Sequence, residues 1–177
     1  LTGTGGAAWW LRVDASPWSE IEGVAMELTP EHLAVVASGR DGLRLVGGAG
    51  PMPSPDLAVA ATRAALGLAD VVIADAPHLR DERTRSLRPL VDRVLVLSCT
   101  DPASRAALEG APAADDWVIA SRAEHSEQLA GQGVLRVLPD DAGSIRAAAG
   151  GDGTVRGALG RAYDDLADIL AIDAATP

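Results

Sequence analysis

The sequence contains no lysine and no phenylalanine, and it has one tyrosine and one cysteine. All 15 basic residues are therefore arginines. A Walker-type phosphate-binding loop grips its phosphates with a lysine, so a complete loop of that type is excluded within these 177 residues. The single cysteine, Cys99, excludes an intramolecular disulfide, which fits a protein of the reducing cytoplasm.

Long hydrophobic runs and an excess of positive charge are also missing. No apolar run approaches the roughly 20 residues that a membrane-spanning helix needs, and the net charge is −10. Nucleic acids and anionic membrane surfaces attract clustered basic residues, so this charge disfavours both as partners. We therefore expect a cytoplasmic protein that binds no nucleic acid and does not insert directly into a membrane.

The chain has the length of one domain and a largely aliphatic composition. Its 177 residues are 47% hydrophobic, and most of these are alanine, leucine or valine. Such a composition suits buried parallel strands that are covered by alanine-rich helices. We expect residues 1–177 to form a single domain. Because the first residue is leucine, we also expect this domain to be cut from a longer protein.

Short apolar runs alternate with helical patterns, which is typical of βαβ units around a mainly parallel sheet. The predicted strands are residues 9–13, 33–36, 43–46, 71–74, 94–97, 117–120 and 134–138. Helices are predicted to begin near Pro55, Asp81, Asp101 and Thr154. Asp41-Gly42 predicts a hairpin, so part of the sheet is expected to be antiparallel. The expected fold class is α/β, with helices flanking a mainly parallel sheet in three layers.

Two aspartates lie at the ends of predicted strands. Asp14 ends the run L-R-V-D, and Asp75 ends the run V-V-I-A-D. In a parallel sheet both would reach the crevice at the carboxyl ends of the strands, where ligands bind in such folds. The alternative is that each aspartate only caps a following turn or helix.

The amino terminus is rich in glycine. Gly3, Gly5 and Gly6 would let backbone N–H groups approach a phosphate. However, the strand predicted from Trp9 leaves too little chain for the crossover helix of about ten or more residues that parallel strands require. Either the segment is rebuilt in this protein, or residues are missing between Ala8 and Trp9.

Five motifs together resemble the MinD/ParA-like P-loop ATPases. In order they are V-D-A-S-P (13–17), L-A-D-V-V-I-A-D-A-P (68–77), V-D-R-V-L-V-L-S (91–98), W-V-I-A-S-R (117–122) and V-L-R-V-L-P-D-D (134–141). The resemblance covers nearly the whole chain. It is strongest to the CpaE/TadZ branch, which includes actinobacterial septum-site-determining homologues with degenerate phosphate loops and an extra upstream domain.

The resemblance implies roles for single residues. Asp75 matches the family's Walker B carboxylate, which holds Mg²⁺ through water when ATP binds, and Pro77 matches the proline that follows it. Asp14 matches the first aspartate of the family's V-D-x-D-P segment, which helps to position the attacking water. Ser16 replaces the second aspartate, and Ala120 stands where the family has the asparagine that reads adenine. Without these groups and the lysine, phosphoryl transfer loses its main electrostatic stabilisers.

The implied function is a localisation or assembly scaffold for a pilus, secretion or septum machinery, with nucleotide hydrolysis lost. Such a scaffold would form a homodimer, bind protein partners of that machinery and be recruited by them to the pole or septum. One alternative is an active Mg-ATP-dependent ATPase whose phosphate loop is not represented in the printed chain. A third hypothesis is an unrelated α/β enzyme that uses the crevice of Asp14 and Asp75, although no nucleophile and base pair stands out.

Overall fold

The structure, a computed structural model, describes residues 6–99, 101–108, 115–122, 134–151 and 153–174. The chain divides into two compact units, Leu1–Asp92 and Arg93–Pro177, which are described in turn. Within the described residues, no helix combines the length and the apolar character that crossing a bilayer requires.

The first unit is mostly helical. Its helices are α1 (Gly6–Leu11), α2 (Pro30–Val36), α3 (Pro55–Leu66) and α4 (Glu82–Leu87). Short 3₁₀ helices lie at Trp18–Glu20, Glu22–Glu27 and Arg88–Leu90. The strands β1 (Ser38–Arg40) and β2 (Leu43–Leu45) pair in an antiparallel hairpin. The unit therefore has fewer strands than the sequence predicted.

The hairpin confirms the turn predicted at Asp41-Gly42. Asp41 has a φ of 52° and Gly42 a φ of 84°, and positive φ at both central residues is the mark of a type I′ turn. This turn matches the right-handed twist of the two strands that it joins. The first of those strands begins at Ser38, later in the chain than predicted.

The strand predicted over residues 33–36 is wrong, because these residues belong to α2. Thr29 caps this helix by accepting the backbone N–H of His32 at 3.3 Å, and Pro30 occupies the first helical turn. Both features favour a helix start. Local capping therefore outweighs the strand preference of the β-branched Val35 and Val36.

The predicted helix at Pro55 is confirmed as α3. Ser54 caps it by accepting the backbone N–H of Leu57 at 3.2 Å. The helix buries an alanine-rich face that includes Leu57, which is fully buried. The core cluster of this unit consists of Trp18, Ile21, Leu33, Leu57, Ala61 and Ala64. Burial of these apolar side chains is the main stabilising contribution to the unit.

The strand predicted over residues 71–74 is also wrong, because these residues join no β-ladder. Val71 is 68% exposed and Ile73 is 84% exposed, whereas Val72 and Ala74 are half-buried. This alternation is typical of an extended chain with one face turned to solvent. An apolar run is therefore not sufficient for a strand, since a strand also needs a hydrogen-bonding partner.

The second unit contains a parallel sheet of three strands in the order β3–β4–β5. The strands are β3 (Leu95–Cys99), β4 (Trp117–Ser121) and β5 (Val134–Leu138). The predictions for all three are confirmed within one or two residues, and both pairings are parallel. The fold class, an α/β fold with helices flanking a mainly parallel sheet, is therefore confirmed.

Helices pack on this sheet. They are α5 (Pro102–Leu108), α6 (Ala142–Gly150) and α7 (Gly157–Ala174), with α5 against β3 and α7 against β5. Ile119, Leu138 and Leu159 form the buried core between α7 and the sheet. The final helix begins at Gly157 rather than Thr154, and Tyr163, which the predicted apolar stripe included, is 45% exposed.

Candidate functional site

Asp14 does not follow a strand. The strand predicted over residues 9–13 is wrong, because α1 occupies Gly6–Leu11. This helix ends in a Schellman motif, in which Arg12 has a φ of 53° and the N–H of Val13 donates to the Ala8 carbonyl at 3.1 Å. Asp14 is exposed immediately after this stop, and its backbone carbonyl accepts a hydrogen bond from the Ser38 hydroxyl.

The segment that carries Asp14 is held against a glycine-rich loop. The N–H of Gly48 donates to the Ser16 carbonyl at 2.8 Å. A Cβ atom on Gly48 would lie 2.1 Å from the Ala15 carbonyl oxygen, and one on Gly47 would lie 2.3 Å from the indole ring of Trp18. Two adjacent positions without a Cβ thus allow the loop to approach the backbone that positions Asp14.

The predicted glycine site lies only partly within the structure. Gly3 and Gly5 fall outside the described residues, and Gly6 is the exposed first residue of α1. Trp9 lies within α1 rather than in a strand. The predicted conflict with a crossover helix of about ten residues before a strand at Trp9 therefore does not arise. Trp9 is 61% exposed and packs edge-to-face on Trp10, with 5.2 Å between ring centroids. The helix has only six residues.

Asp75 and Pro77 lie on the extended segment before α4. Asp75 is exposed, and the Pro77 carbonyl accepts the Thr84 hydroxyl at 3.1 Å. The N–H of Asp81 donates to the His78 carbonyl at 2.8 Å. The backbone after Asp75 is therefore tied to the first turns of α4, while the carboxylate of Asp75 lies at the surface.

Asp14 and Asp75 were predicted to converge because both would end parallel strands. That reason fails, since Asp14 follows a helix and Asp75 follows an extended segment outside any ladder. Each lies in the first unit on its own surface segment. The roles of both residues at a nucleotide remain predictions.

No group of three or more His, Cys, Asp or Glu residues in the described part of the chain could hold a metal ion directly. The resemblance implies only Asp75, which would hold Mg²⁺ through water, so that role remains a prediction. Ala120, at the expected adenine position, is fully buried on β4 and packs against Val134 and Val137. A methyl group in that core offers no hydrogen bond to a base.

An open cleft of about 630 Å³ lies in the first unit, between the amino-terminal ends of α3 and α4. Two of the carboxylates that border it are engaged at the helix ends. Glu22 accepts the Ser54 N–H at 3.4 Å, and Asp81 accepts the N–H of Arg83 at 2.9 Å while it pairs with the Arg83 guanidinium at 3.0 Å. The sequence predicted the helix starts near Pro55 and Asp81 but not the cleft, because the cleft depends on residues that are distant in the chain.

Two of the perturbed carboxylates in the described part of the chain are helix caps. The backbone N–H of Ser144, followed by the Ser144 hydroxyl, lowers the pKa of Asp141. The Ser104 hydroxyl, followed by the Ser104 N–H, lowers the pKa of Asp101. In both cases the hydrogen bonds favour the charged form. These shifts therefore report capping of α6 and α5 rather than acid–base chemistry.

No protein-family model matches the sequence, and no curated protein matches it. The structure is similar to the crystal structure of a ParA family ATPase from Chlorobium tepidum TLS, with a TM-score of 0.75 and 13% sequence identity. The match covers 92% of this chain and 80% of that chain. Because fold is retained at identities where function is not, this likeness establishes the fold alone. The chain has the α/β fold of ParA-like P-loop NTPases.

Proposed function

We propose that this protein is a ParA/MinD-like scaffold that positions a cellular machinery through protein contacts and does not hydrolyse ATP. The proposed machinery is of the CpaE/TadZ type, a pilus or secretion apparatus or the division septum. The scaffold would act as a homodimer in the cytoplasm and would be recruited to the pole or septum by its protein partners.

The observation that carries this proposal is the absence of every lysine from a chain with the ParA-like fold. Catalysis of phosphoryl transfer depends almost entirely on positioning and electrostatic stabilisation of the phosphate oxygens. A lysine at the phosphates and a metal ion supply much of that stabilisation in P-loop NTPases. This chain has the fold but lacks the phosphate-binding lysine. Its buried Ala120 also cannot contact a base.

Several apolar side chains of the first unit are exposed. Met26 is 90% exposed, Val35 on α2 is 85% exposed and Ile73 is 84% exposed. Single exposed apolar residues are normal on soluble proteins. Burial of such side chains at an interface stabilises association, at about 25 cal/mol per Å² of apolar surface, and it requires no nucleotide turnover.

The test is a titration of the protein with a fluorescent ATP analogue in the presence of Mg²⁺, combined with an assay of phosphate release. We expect no phosphate release above the buffer rate. Asp75→Ala provides the matched variant, because Asp75 is exposed and matches the Walker B carboxylate in the resemblance. Micromolar binding with turnover that disappears in Asp75→Ala would contradict the scaffold proposal.

A true ATPase is the second candidate, and the ParA-like fold of the chain favours it. The glycines before α1 cannot be its complete phosphate loop, because that loop carries a lysine directly before its helix and the chain has none. In this alternative the whole phosphate loop, with its lysine, lies in residues outside the printed chain. Absence of any binding of the fluorescent analogue in the same titration would eliminate the ATPase.

The proposed localisation is tested separately in cells. A fluorescent fusion of the full-length protein should form foci at the pole or the septum, and the foci should persist in Asp75→Ala, since the scaffold needs no turnover. Uniform cytoplasmic fluorescence would contradict the localisation, while loss of the foci in Asp75→Ala alone would favour the nucleotide-dependent alternative.

A further inference from the structure

The strand β3 lies at one edge of the parallel sheet of the second unit. The N–H of Trp117 donates to the Val94 carbonyl at 3.0 Å, and the register pairs Trp117 with Leu95. In a parallel ladder this pattern turns the N–H and C=O groups of Val94, and of every second residue after it, toward β4. The corresponding groups of Leu95 and Leu97 therefore point away from the sheet.

This outer edge of β3 is open. Within the described residues, the outward backbone groups of Leu95 and Leu97 have no hydrogen-bond partner. Leu97 is 64% exposed, although its register partner on β4, Ile119, is fully buried. Soluble proteins commonly protect such an edge with charged residues or proline, and the five residues of β3, L-V-L-S-C, include neither. The edge is therefore suited to accept another strand.

A second copy of this chain fits the edge in one antiparallel register. With Leu97 opposite its own copy, a two-fold axis passes between the two residues, and the outward N–H of each donates to the C=O of the other. Leu95 then lies opposite Cys99 of the second copy. The two exposed Leu97 side chains meet on the same face of the joined sheet, where their burial stabilises the pair.

The charges beyond the ends of β3 favour the same register. Arg93 and Asp101 lie four residues before and four residues after Leu97, so the register brings Arg93 of each copy toward Asp101 of the other. The Ser104 hydroxyl, followed by the Ser104 N–H, lowers the pKa of Asp101 and so favours its charged form. Because the chain carries a net charge of −10, an uncharged strand flanked by opposite charges is a surface on which two copies meet without net repulsion.

We propose that two copies of this chain associate through their β3 edges, so that the two sheets join into one. The proposal rests on the homodimer of the proposed function and specifies the surface that forms it. The association requires no nucleotide, since backbone hydrogen bonds, the Leu97 pair and the charges of Arg93 and Asp101 supply the contacts.

Disulfide crosslinking of the full chain tests the register, because Cys99 is the only cysteine. In the proposed register Cys99 and its copy are roughly 14 Å apart, which exceeds the reach of a disulfide, so the wild type should not crosslink on oxidation. Leu95→Cys places a thiol opposite Cys99 of the second copy, at a Cα separation of about 5.5 Å, and should give a dimer on a non-reducing gel. Leu95→Cys combined with Cys99→Ser is the matched control and should give none.

Sedimentation equilibrium over a range of protein concentrations measures the association itself. Leu97→Lys sets two like charges opposite each other at the centre of the interface and should weaken association by about tenfold or more. Leu66→Lys is the matched control, because Leu66 is 52% exposed on α3 in the first unit, and it should leave association unchanged. Far-ultraviolet circular dichroism checks that both variants are folded, and the crosslinking decides the register without either of them.

The outcomes separate this interface from the function on which it rests. A dimer that Leu97→Lys does not weaken, or a Leu95→Cys chain that crosslinks no better than its control, would overturn the β3 interface and leave the homodimer standing. A chain that stays monomeric at every concentration would overturn both. The loss of ATP hydrolysis is measured separately by phosphate release.

Discussion

Gly47 is the position where the structure predicts the sharpest response to one methyl group. It has a φ of 91°, and a Cβ atom there would lie 2.3 Å from two atoms of the Trp18 ring. Trp18 is only 6% exposed and belongs to the core cluster, so its ring cannot move into solvent without losing that burial. We therefore expect Gly47→Ala to destabilise the first unit.

The expected loss of stability in Gly47→Ala has two parts, and a substitution at a second glycine separates them. A left-handed conformation costs a residue with a Cβ about 1–2 kcal/mol. Forcing extra volume against a packed core costs about 1–3 kcal/mol more. Gly42 has a similar φ of 84°, but a Cβ there would meet nothing within 4 Å. Gly42→Ala should therefore carry only the first cost, and Gly47→Ala should carry both, about 2–5 kcal/mol in total.

The measurement is urea unfolding followed by tryptophan fluorescence, with the free energy of unfolding compared among the variants. Gly23→Ala adds a second control, because Gly23 lies in open space and its φ is not positive. The near-ultraviolet circular dichroism of Gly47→Ala should also change, since the Trp18 ring must shift. Equal stability of Gly47→Ala and Gly42→Ala would refute the close packing of this loop on Trp18.

Two further predictions concern helix caps. Ser54→Ala removes the acceptor of the Leu57 N–H and should lower the free energy of unfolding by about 0.5–2 kcal/mol. Ser54→Asp keeps an acceptor and should restore most of that free energy. An unchanged urea midpoint in Ser54→Ala would contradict the role of Ser54 as a cap. The lowered pKa of Asp141 means that its charged form stabilises the folded state above the ordinary aspartate pKa of about 3.9, and that this stabilisation is lost as the pH falls through the lower folded value. Asp141→Asn should therefore flatten the decline in stability below about pH 4, measured by urea unfolding at a series of pH values, and a decline identical to the wild type would count against this assignment.

Most of the helices and the parallel strands could be predicted, because their signals are local. The run V-L-R-V-L matches β5 (Val134–Leu138) residue for residue. The start of α3 was predicted from Pro55, and its Ser54 cap acts within three residues. The helix α2 was missed because a short run with two valines was interpreted as a strand. The Thr29-Pro30 start signal in the printed sequence would have corrected this.

The candidate site was harder to predict. Only the pattern of apolar residues predicts that Asp14 and Asp75 lie at strand ends. In the structure, α1 ends two residues before Val13, and residues 71–74 have no ladder partner. The cleft beside Glu22 and the close approach of Gly47 to Trp18 were not predicted at all, since each joins segments that are far apart in the chain.

The amino-acid sequence was sufficient to establish the α/β class, the parallel strands of the second unit, the hairpin turn and the lack of a phosphate-binding lysine. These features follow from composition, from hydrophobic periodicity and from capping or turn chemistry that acts within a few residues. The folded structure was needed to show that Asp75 follows a segment outside any β-ladder and that Ala120 is buried against Val134 and Val137. Strand pairing and burial depend on partners distant in the chain, and no local pattern specifies where those partners will lie.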